Sequence, residues 1–237
     1  GHVGALVVAG VDPGDYPNAD VLLQALENTK FVVSLEQRHS AVTERADVVL
    51  PVAVVAEKAG TFVNWEGRPR PFGQVLRTDL SLSDAAVLSM IAEAMGRPQP
   101  GDVSTLRREI AALGPWTGAR WQSPTAAAGS AGDSVTLASW RQLLDNGIMQ
   151  EGEPHLAATA RPTVALLSAA TADRLGVGGA TSVAITGPAG AVNIPLQLAD
   201  VVDGAVWLPM DSPDCRIYTQ LGAQPGDSVT VQRGGAA

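Results

Sequence analysis

The chain has 237 residues, of which 46% are hydrophobic and 17% charged, a composition of folded and not of disordered proteins. Its net charge of −8 argues against a duplex-binding protein, because such binding depends on Lys and Arg side chains that neutralise phosphates. No stretch approaches the roughly 20 apolar residues that span a bilayer. Cys215 is the single cysteine, so an internal disulfide is excluded and a reducing compartment is expected.

The first part of the chain alternates between strand and helix patterns. Residues 5–9 (ALVVA) are a continuous apolar run, which predicts a fully buried strand, and residues 31–35 and 48–50 predict two more. Asn18 or Asp20 is a candidate cap for a helix between the first two strands. Such alternation predicts a parallel sheet with right-handed crossovers. Residues 1–97 are therefore expected to form part of a doubly wound α/β domain, with a last helix that begins at Ser83 and Asp84.

The middle of the chain is rich in proline and in small residues. We interpret residues 98–160 as a linker, because it carries scattered prolines and the low-complexity run TAAAGSAGDS. Residues 103–113 and 137–146 predict two short helices within it.

Residues 161–237 have a strand pattern and predict a small β-barrel. A sequence echo supports it: Leu175-Gly176, followed by SVAI from Ser182, recurs as Leu221-Gly222, followed by SVTV from Ser228. Two similar loop–strand units predict internal pseudo-symmetry. The fold class is thus α/β, a partial doubly wound parallel sheet followed by a small β-barrel.

The most informative stretch is residues 43–70. ADVVLP predicts a short strand that ends at Pro51, which has no amide hydrogen to donate. The polar residues that follow, EKAGT and NWEGR, surround Gly60 and Gly67, so we expect a loop at the end of a strand. Such loops meet the crevice of an open α/β sheet.

These motifs resemble a segment of the molybdopterin oxidoreductase superfamily, in which T-x-x-ADVVLP is followed by E-(K)-x-G-T-(F)-x-N-x-E-x-R. The tripeptide Glu66-Gly67-Arg68 is most similar to the corresponding sequence in the family of large iron–sulfur subunits of bacterial NADH-quinone oxidoreductase, complex I. The joint pattern covers about 25 residues and is specific as a whole. The chain departs from the family's usual R-V-Q continuation, because Pro69-Arg70-Pro71 follows Arg68. The C-terminal region resembles, more loosely, the double-psi β-barrel of the same superfamily.

The resemblance implies a C-terminal portion of a longer subunit in the peripheral arm, on the cytoplasmic side of the inner (plasma) membrane. It implies other peripheral-arm subunits as partners and a proton-translocating parent complex that oxidises NADH with quinone. Iron–sulfur clusters are expected upstream of this chain and no cofactor within it. No nucleic acid and no direct membrane insertion are expected.

The candidate cofactor-binding residues would line a vestigial pocket. Each also has a structural interpretation: carboxylates beside cations form ion pairs, Thr and Asn side chains hold loops, and an Asp-Pro pair makes a turn. No catalytic residue is predicted. The candidates are Asp12, Glu57, Thr61, Asn64, Glu66 and Arg68.

Two alternatives remain open. The chain could line the pterin dinucleotide of a molybdenum oxidoreductase such as formate dehydrogenase, or it could be a freestanding nucleotide-binding module. A metal site at His39 with Glu36 and Glu44 is disfavoured, because no second histidine is near in sequence. Cys215 is interpreted as a buried thiol and not as a reactive one, since Asp211 and Asp214 oppose thiolate formation.

Overall fold

The structure is a computed structural model that describes residues 3–64, 66–77, 81–120, 122 and 134–235. It divides into two compact units. We call residues 1–12 and 22–122 the sheet unit, and residues 13–21 and 123–237 the barrel unit. Among the described residues, no helix has the length and apolar character needed to cross a bilayer.

The sheet unit contains a three-stranded parallel sheet in the order β1-β2-β3, with β2 in the middle. Its strands are β1 (Leu6–Ala9), β2 (Val32–Glu36) and β3 (Val48–Pro51). The predicted parallel sheet and its three strands are thus confirmed. Four of the five residues of β2 are buried, as the central position requires.

Helices cover both faces of this sheet, as in a doubly wound fold. On one face α1 (Ala19–Glu27) contributes Leu26 to a cluster with Val32 and Val42. On the other face α2 (Asp84–Ala94) contributes Val87 to a cluster with Leu35 and Val52. The predicted start of α2 is confirmed, since the Ser83 side chain accepts a hydrogen bond from the Ala86 amide. A further helix, α3 (Val103–Ala112), is capped by Asp102.

Two strand predictions for this unit were wrong. β1 is not fully buried: its residues alternate between half-buried and exposed, because it pairs only with β2 among the described strands. The stretch that follows Pro51 is not all loop, since β4 (Gly60–Val63) and β5 (Pro69–Phe72) form an antiparallel hairpin. The prolines of β5 argue against a strand, but they lie opposite Val63 and Thr61 at positions whose amides are not needed for the pairing.

The barrel unit contains a closed six-stranded barrel, in the order β10-β6-β13-β8-β9-β7 among the described residues. Two of its strand pairs, β6 with β10 and β7 with β9, are parallel, and the others are antiparallel. The predicted α/β class with a small barrel is confirmed. The barrel strands are β6 (Ser134–Trp140), β7 (Ala165–Leu167), β8 (Ser182–Thr186), β9 (Ala191–Leu198), β10 (Ala205–Pro209) and β13 (Ser228–Arg233).

Short elements complete the barrel unit. A two-stranded ribbon joins β11 (Asp211–Ser212) to β12 (Cys215–Arg216), and a π-helical turn follows at Ile217–Leu221. Two short helices, α4 (Pro154–Ala157) and α5 (Ala169–Arg174), precede and follow β7.

The helix predicted at residues 137–146 was wrong, because its first residues belong to β6. This strand lies within the range 98–160 that the sequence assigned to a linker. β6 pairs with both β10 and β13, so its residues are fixed by partners distant in sequence. The low-complexity run at residues 125–134 lies outside the described residues except for Ser134, the first residue of β6.

The sequence echo corresponds to structural equivalence. Gly176 and Gly222 both have positive φ, at 68° and 61°, and each follows a leucine at the end of a helical turn. The strands that come next, β8 and β13, lie side by side and antiparallel, with Ile185 opposite Val231. The two halves of the barrel therefore use the same loop–strand unit.

Candidate functional site

The polar motif of the sheet unit forms the turn of the β4–β5 hairpin. The Asn64 side-chain oxygen accepts hydrogen bonds from the amides of Glu66 (3.1 Å) and Arg68 (2.9 Å). Gly67 has a φ of 77° and donates its amide to the Asn64 carbonyl at 2.9 Å. The asparagine and the glycine of the motif are therefore both used to fix the turn.

The charged residues of the turn are paired with each other. Nε of Arg68 lies 3.0 Å from Oε2 of Glu66, and the Asn64 amide donates to the same carboxylate at 3.3 Å. The Arg68 side chain is 62% exposed, so water screens this pair and its contribution to stability is small.

The base of the hairpin is connected to α3 by a residue that the sequence did not indicate. Arg107 donates from Nε to the Thr61 hydroxyl at 3.1 Å and from its guanidinium to the Gly60 carbonyl. Phe72 stacks on Phe62 with ring centroids 4.7 Å apart and covers Gly60, where a Cβ would lie 2.7 Å from the ring. No sequence pattern links Arg107 to Thr61, because 46 residues separate them.

The remaining charged residues of the motif face other partners. The Glu57 carboxylate accepts a hydrogen bond from the Ser81 hydroxyl at 3.1 Å. Lys58, whose side chain is only 16% exposed, lies 2.5 Å from the Asp84 carboxylate at the start of α2. A carboxylate at a helix N-terminus is itself stabilised there, so this ion pair has a structural explanation.

The structure brings four of the six candidates together in the hairpin: Thr61, Asn64, Glu66 and Arg68. Glu57 precedes the hairpin, at the end of the turn Val55–Glu57. Asp12 lies beyond the carboxyl end of β1, three residues after Ala9, and is half-buried. A role for any of these residues in binding a cofactor stays a prediction.

The barrel unit contains a cavity of about 400 Å³ that sequence reasoning missed. The start of α1 and two barrel loops meet around it. The loops approach closely: a Cβ on Gly187 would lie 2.4 Å from the Leu221 carbonyl oxygen, and one on Gly222 would lie 2.7 Å from the Ala189 side chain. The Gly176/Gly222 echo was a sequence signal for one of these loops. The lining residues are Pro17–Val21, Pro188, Ala189, Tyr218, Thr219 and Gly222.

An ion network that sequence reasoning also missed surrounds Arg141. Its Nε lies 2.8 Å from Asp145, a second nitrogen lies 3.4 Å from Asp211, and the guanidinium also pairs with Asp15. The hydrogen bond to Asp145 raises the pKa of this guanidinium above its usual range, against the effect of burial. The network ties the segment after β6 to other parts of the barrel unit.

The cysteine and the histidine candidates differ in exposure. Cys215 is buried, and burial, followed by the charges of Asp211 and Asp214, raises its thiol pKa to about 12. The interpretation as a buried thiol is confirmed. His39 is exposed, and the described part of the chain contains no group of three or more His, Cys, Asp or Glu side chains that could hold a metal ion.

The sequence of this chain is similar to one protein family model and to subunits of an oxidoreductase. A model of the molybdopterin oxidoreductase family matches residues 3–81. The chain is 46% identical to the G subunit of NADH-quinone oxidoreductase from Streptomyces coelicolor, over 98% of this chain and 29% of that protein. It is 44% identical to the same subunit of Mycobacterium bovis, over 97% of this chain and 30% of that protein. The chain thus spans less than a third of the length of these relatives.

The fold is similar to that of acetylene hydratase from Pelobacter acetylenicus. The TM-score is 0.52, at 15% identity, over 92% of this chain and 42% of that protein. At this identity the likeness concerns the fold alone.

Proposed function

We propose that this chain is a structural part of a G subunit of NADH-quinone oxidoreductase. Its residues 3–81 match the molybdopterin oxidoreductase family, and 98% of the chain aligns with such a subunit. It supports electron transfer from NADH to quinone without holding a redox centre. It lies in the peripheral arm, on the cytoplasmic side of the membrane, against other subunits of the complex.

The observation that carries this proposal is the pairing within the motif of residues 57–70. Asn64 fixes a turn, Arg68 pairs with Glu66, and Lys58 pairs with Asp84. A pterin dinucleotide carries phosphate charges that need cations or helix N-termini. To use these two cations it would have to displace Glu66 from the exposed Arg68 and Asp84 from the mostly buried Lys58, and the second change is the costlier one. These residues therefore do not fit the cofactor as they are arranged.

The thiol chemistry supports the same proposal. Iron–sulfur clusters are held mainly by several Cys thiolates, and Cys215 is the single cysteine of the 237 residues. Cys215 is also buried among the apolar side chains of the barrel core. A single cysteine thus supports the proposal that the electron path lies in other parts of the subunit.

The experiment is a metal and pterin analysis of the full-length subunit in its purified complex. We expect iron but no stoichiometric molybdenum or tungsten, and no pterin fluorescence after oxidative release. One metal atom and a pterin per polypeptide would overturn the proposal. That result would establish the alternative that the family match favours, a pterin-binding part of a molybdenum oxidoreductase.

A second experiment addresses the partners. Affinity purification of the full-length polypeptide from membranes is expected to recover flavin and iron–sulfur subunits in fixed ratio. Recovery of the polypeptide alone, from the soluble fraction, would instead support a freestanding nucleotide-binding module.

A further inference from the structure

The strand β1 has the sequence of an interior strand but the exposure of an edge strand. All four of its residues, LVVA, are apolar, as is typical of parallel strands with neighbours on both sides. Yet Val7 is 53% exposed, whereas the adjacent strand β2 is mostly buried. Natural edge strands more often carry a charge or a proline that prevents further pairing, and β1 has neither.

The backbone of β1 has an open row of hydrogen-bonding groups. Leu6 donates its amide to the Phe31 carbonyl at 2.9 Å, and Gly10 donates to Leu35. In a parallel ladder the residues that bond to the neighbouring strand alternate. Leu6 and Val8 therefore face β2, and the amide and carbonyl of Val7 point away from the sheet.

The helix that covers one face of the sheet does not extend over β1. Leu6 and Val8 pack under α1 with Leu26 and Val42. Val7 lies on the opposite face, the one that α2 covers through Leu35 and Leu50. Among the described residues, α2 covers that face only over β2 and β3, so both the sheet and its covering layer stop at β1.

The other edge of the sheet is different. At the end of β3, Val52 forms a parallel bridge with Leu82, and Ala53 donates its amide to the Leu82 carbonyl at 2.8 Å. Pro51, the last residue of β3, has no amide hydrogen. This edge is thus partly closed, and the asymmetry favours β1 as the position where the sheet continues.

We propose that the outer edge of β1 binds a further parallel strand, and that the helix joined to this strand covers Val7. The strand comes from a segment of the same polypeptide outside these 237 residues. This rests on the proposed membership in a longer subunit, whose relatives are more than three times as long as the matched region.

The choice of occupant follows from connection geometry. A parallel neighbour needs a crossover of a dozen or more residues, usually a helix, and a longer polypeptide supplies both strand and helix. A second copy related by a two-fold axis would instead pair β1 with itself in antiparallel orientation and leave the layer over Val7 without a helix.

The first test is residue-resolved amide hydrogen exchange on the full-length polypeptide. The Val8 amide, which bonds to β2, is the internal reference. We expect the Val7 amide to exchange within about tenfold of the Val8 rate, because both would be in a ladder. Exchange of Val7 about a hundredfold faster or more would overturn the proposal.

The second test compares two proline variants of the full-length polypeptide. V7P and V49P each remove an outward-pointing amide from a flanking strand without removing a bond to β2. V7P is expected to raise the rate of limited proteolysis of this domain about tenfold, the effect of one or two lost ladder bonds, while V49P leaves it within about twofold. Equal effects of the two variants would show that the β1 and β3 edges of the sheet do not differ, and would overturn the proposal.

The third test identifies the occupant with a benzophenone photocrosslinker in place of Val7. A cross-link within the same polypeptide supports the proposal. A cross-link to another subunit or to a second copy overturns it. That result would not bear on the proposed function, because the metal analysis tests the absence of a redox centre independently.

Discussion

The two units of this chain differ in how they bury their apolar residues. The barrel unit closes on itself, and one continuous cluster of buried side chains fills it, from Val135 to Val231. The sheet unit has two small clusters on opposite faces of an open sheet and leaves Val7, Val48 and Val49 exposed. A closed barrel has no edges to protect, whereas an open sheet depends on what pairs with its outer strands. With a similar apolar composition, one unit thus has a single large buried core, and the other has outer strands whose apolar residues are exposed.

The largest expected effect is the loss of a core leucine from the barrel. Leu208 is fully buried in the large cluster, so Leu208→Ala should cost about 4 kcal/mol in free energy of unfolding. Leu35 is equally buried, but in a small cluster whose neighbours can relax, so Leu35→Ala should cost about 2 kcal/mol. Urea unfolding, followed by Trp207 fluorescence for the barrel and by helical circular dichroism for the sheet unit, measures both. Equal costs would contradict the contrast between the two cores.

The next prediction uses the two glycines of the sequence echo. Both have positive φ, but a Cβ at Gly222 would meet the Ala189 side chain at 2.7 Å, whereas a Cβ at Gly176 would meet nothing within 4 Å. Gly176→Ala should therefore cost about 1 kcal/mol of backbone strain, and Gly222→Ala about 2–3 kcal/mol. Thermal unfolding of the two variants compares them directly. A larger loss at Gly176 would show that the loop near Gly222 is not tightly packed.

A smaller effect is expected in the hairpin. Asn64→Ala removes the acceptor for the amides of Glu66 and Arg68 and should lower the local stability of the turn by about 1 kcal/mol. Asn64→Asp keeps an oxygen at this position and is the matched control. Hydrogen exchange at the Arg68 amide reports the change. If both variants exchange alike, the side-chain oxygen of Asn64 is not what fixes the turn.

The smallest effect concerns the cap of α3. Hydrogen bonds from Ser104 and then from the Thr105 amide lower the pKa of Asp102 from 3.8 to about 2. Because the folded-state pKa is depressed, the stabilisation is present above pH 3.8 and is lost as the pH falls towards 2. A titration of the Asp102 carboxyl by NMR measures the pKa, and Asp102→Asn should remove the pH dependence of α3 helicity in this window. An ordinary pKa for the Asp102 carboxyl would exclude the cap as the cause of a pH dependence of α3 helicity.

The sequence predicted much of this fold because strand periodicity and helix caps are local signals. Ser83 begins α2 as expected, and five of the six barrel strands lie in residues 161–237, where a small β-barrel was predicted. The strand β6 was missed because Leu137, Trp140 and Leu144 recur at a helical spacing. Pairing with β10 and β13 overrides that local preference.

The candidate site was less predictable, because its partners are distant in sequence. The motif correctly indicated a structured turn at Asn64 and Gly67, but Arg107 and Asp84 could not be inferred as partners of Thr61 and Lys58. The exposure of β1 could not be predicted either, because the sequence of an apolar strand does not show how many strands pair with it.

The central claim, that the motif supports structure and not electron transfer, is tested most directly by turnover of the complex that carries the double variant N64A/R68A. We predict that NADH oxidation by quinone, expressed per assembled complex, stays within about twofold of the wild type, since the contacts of both side chains with described residues lie within the hairpin. The amount of assembled complex is expected to fall. A fully assembled complex with turnover reduced tenfold or more would contradict the account, because it would place these residues in the electron path or at a bound cofactor.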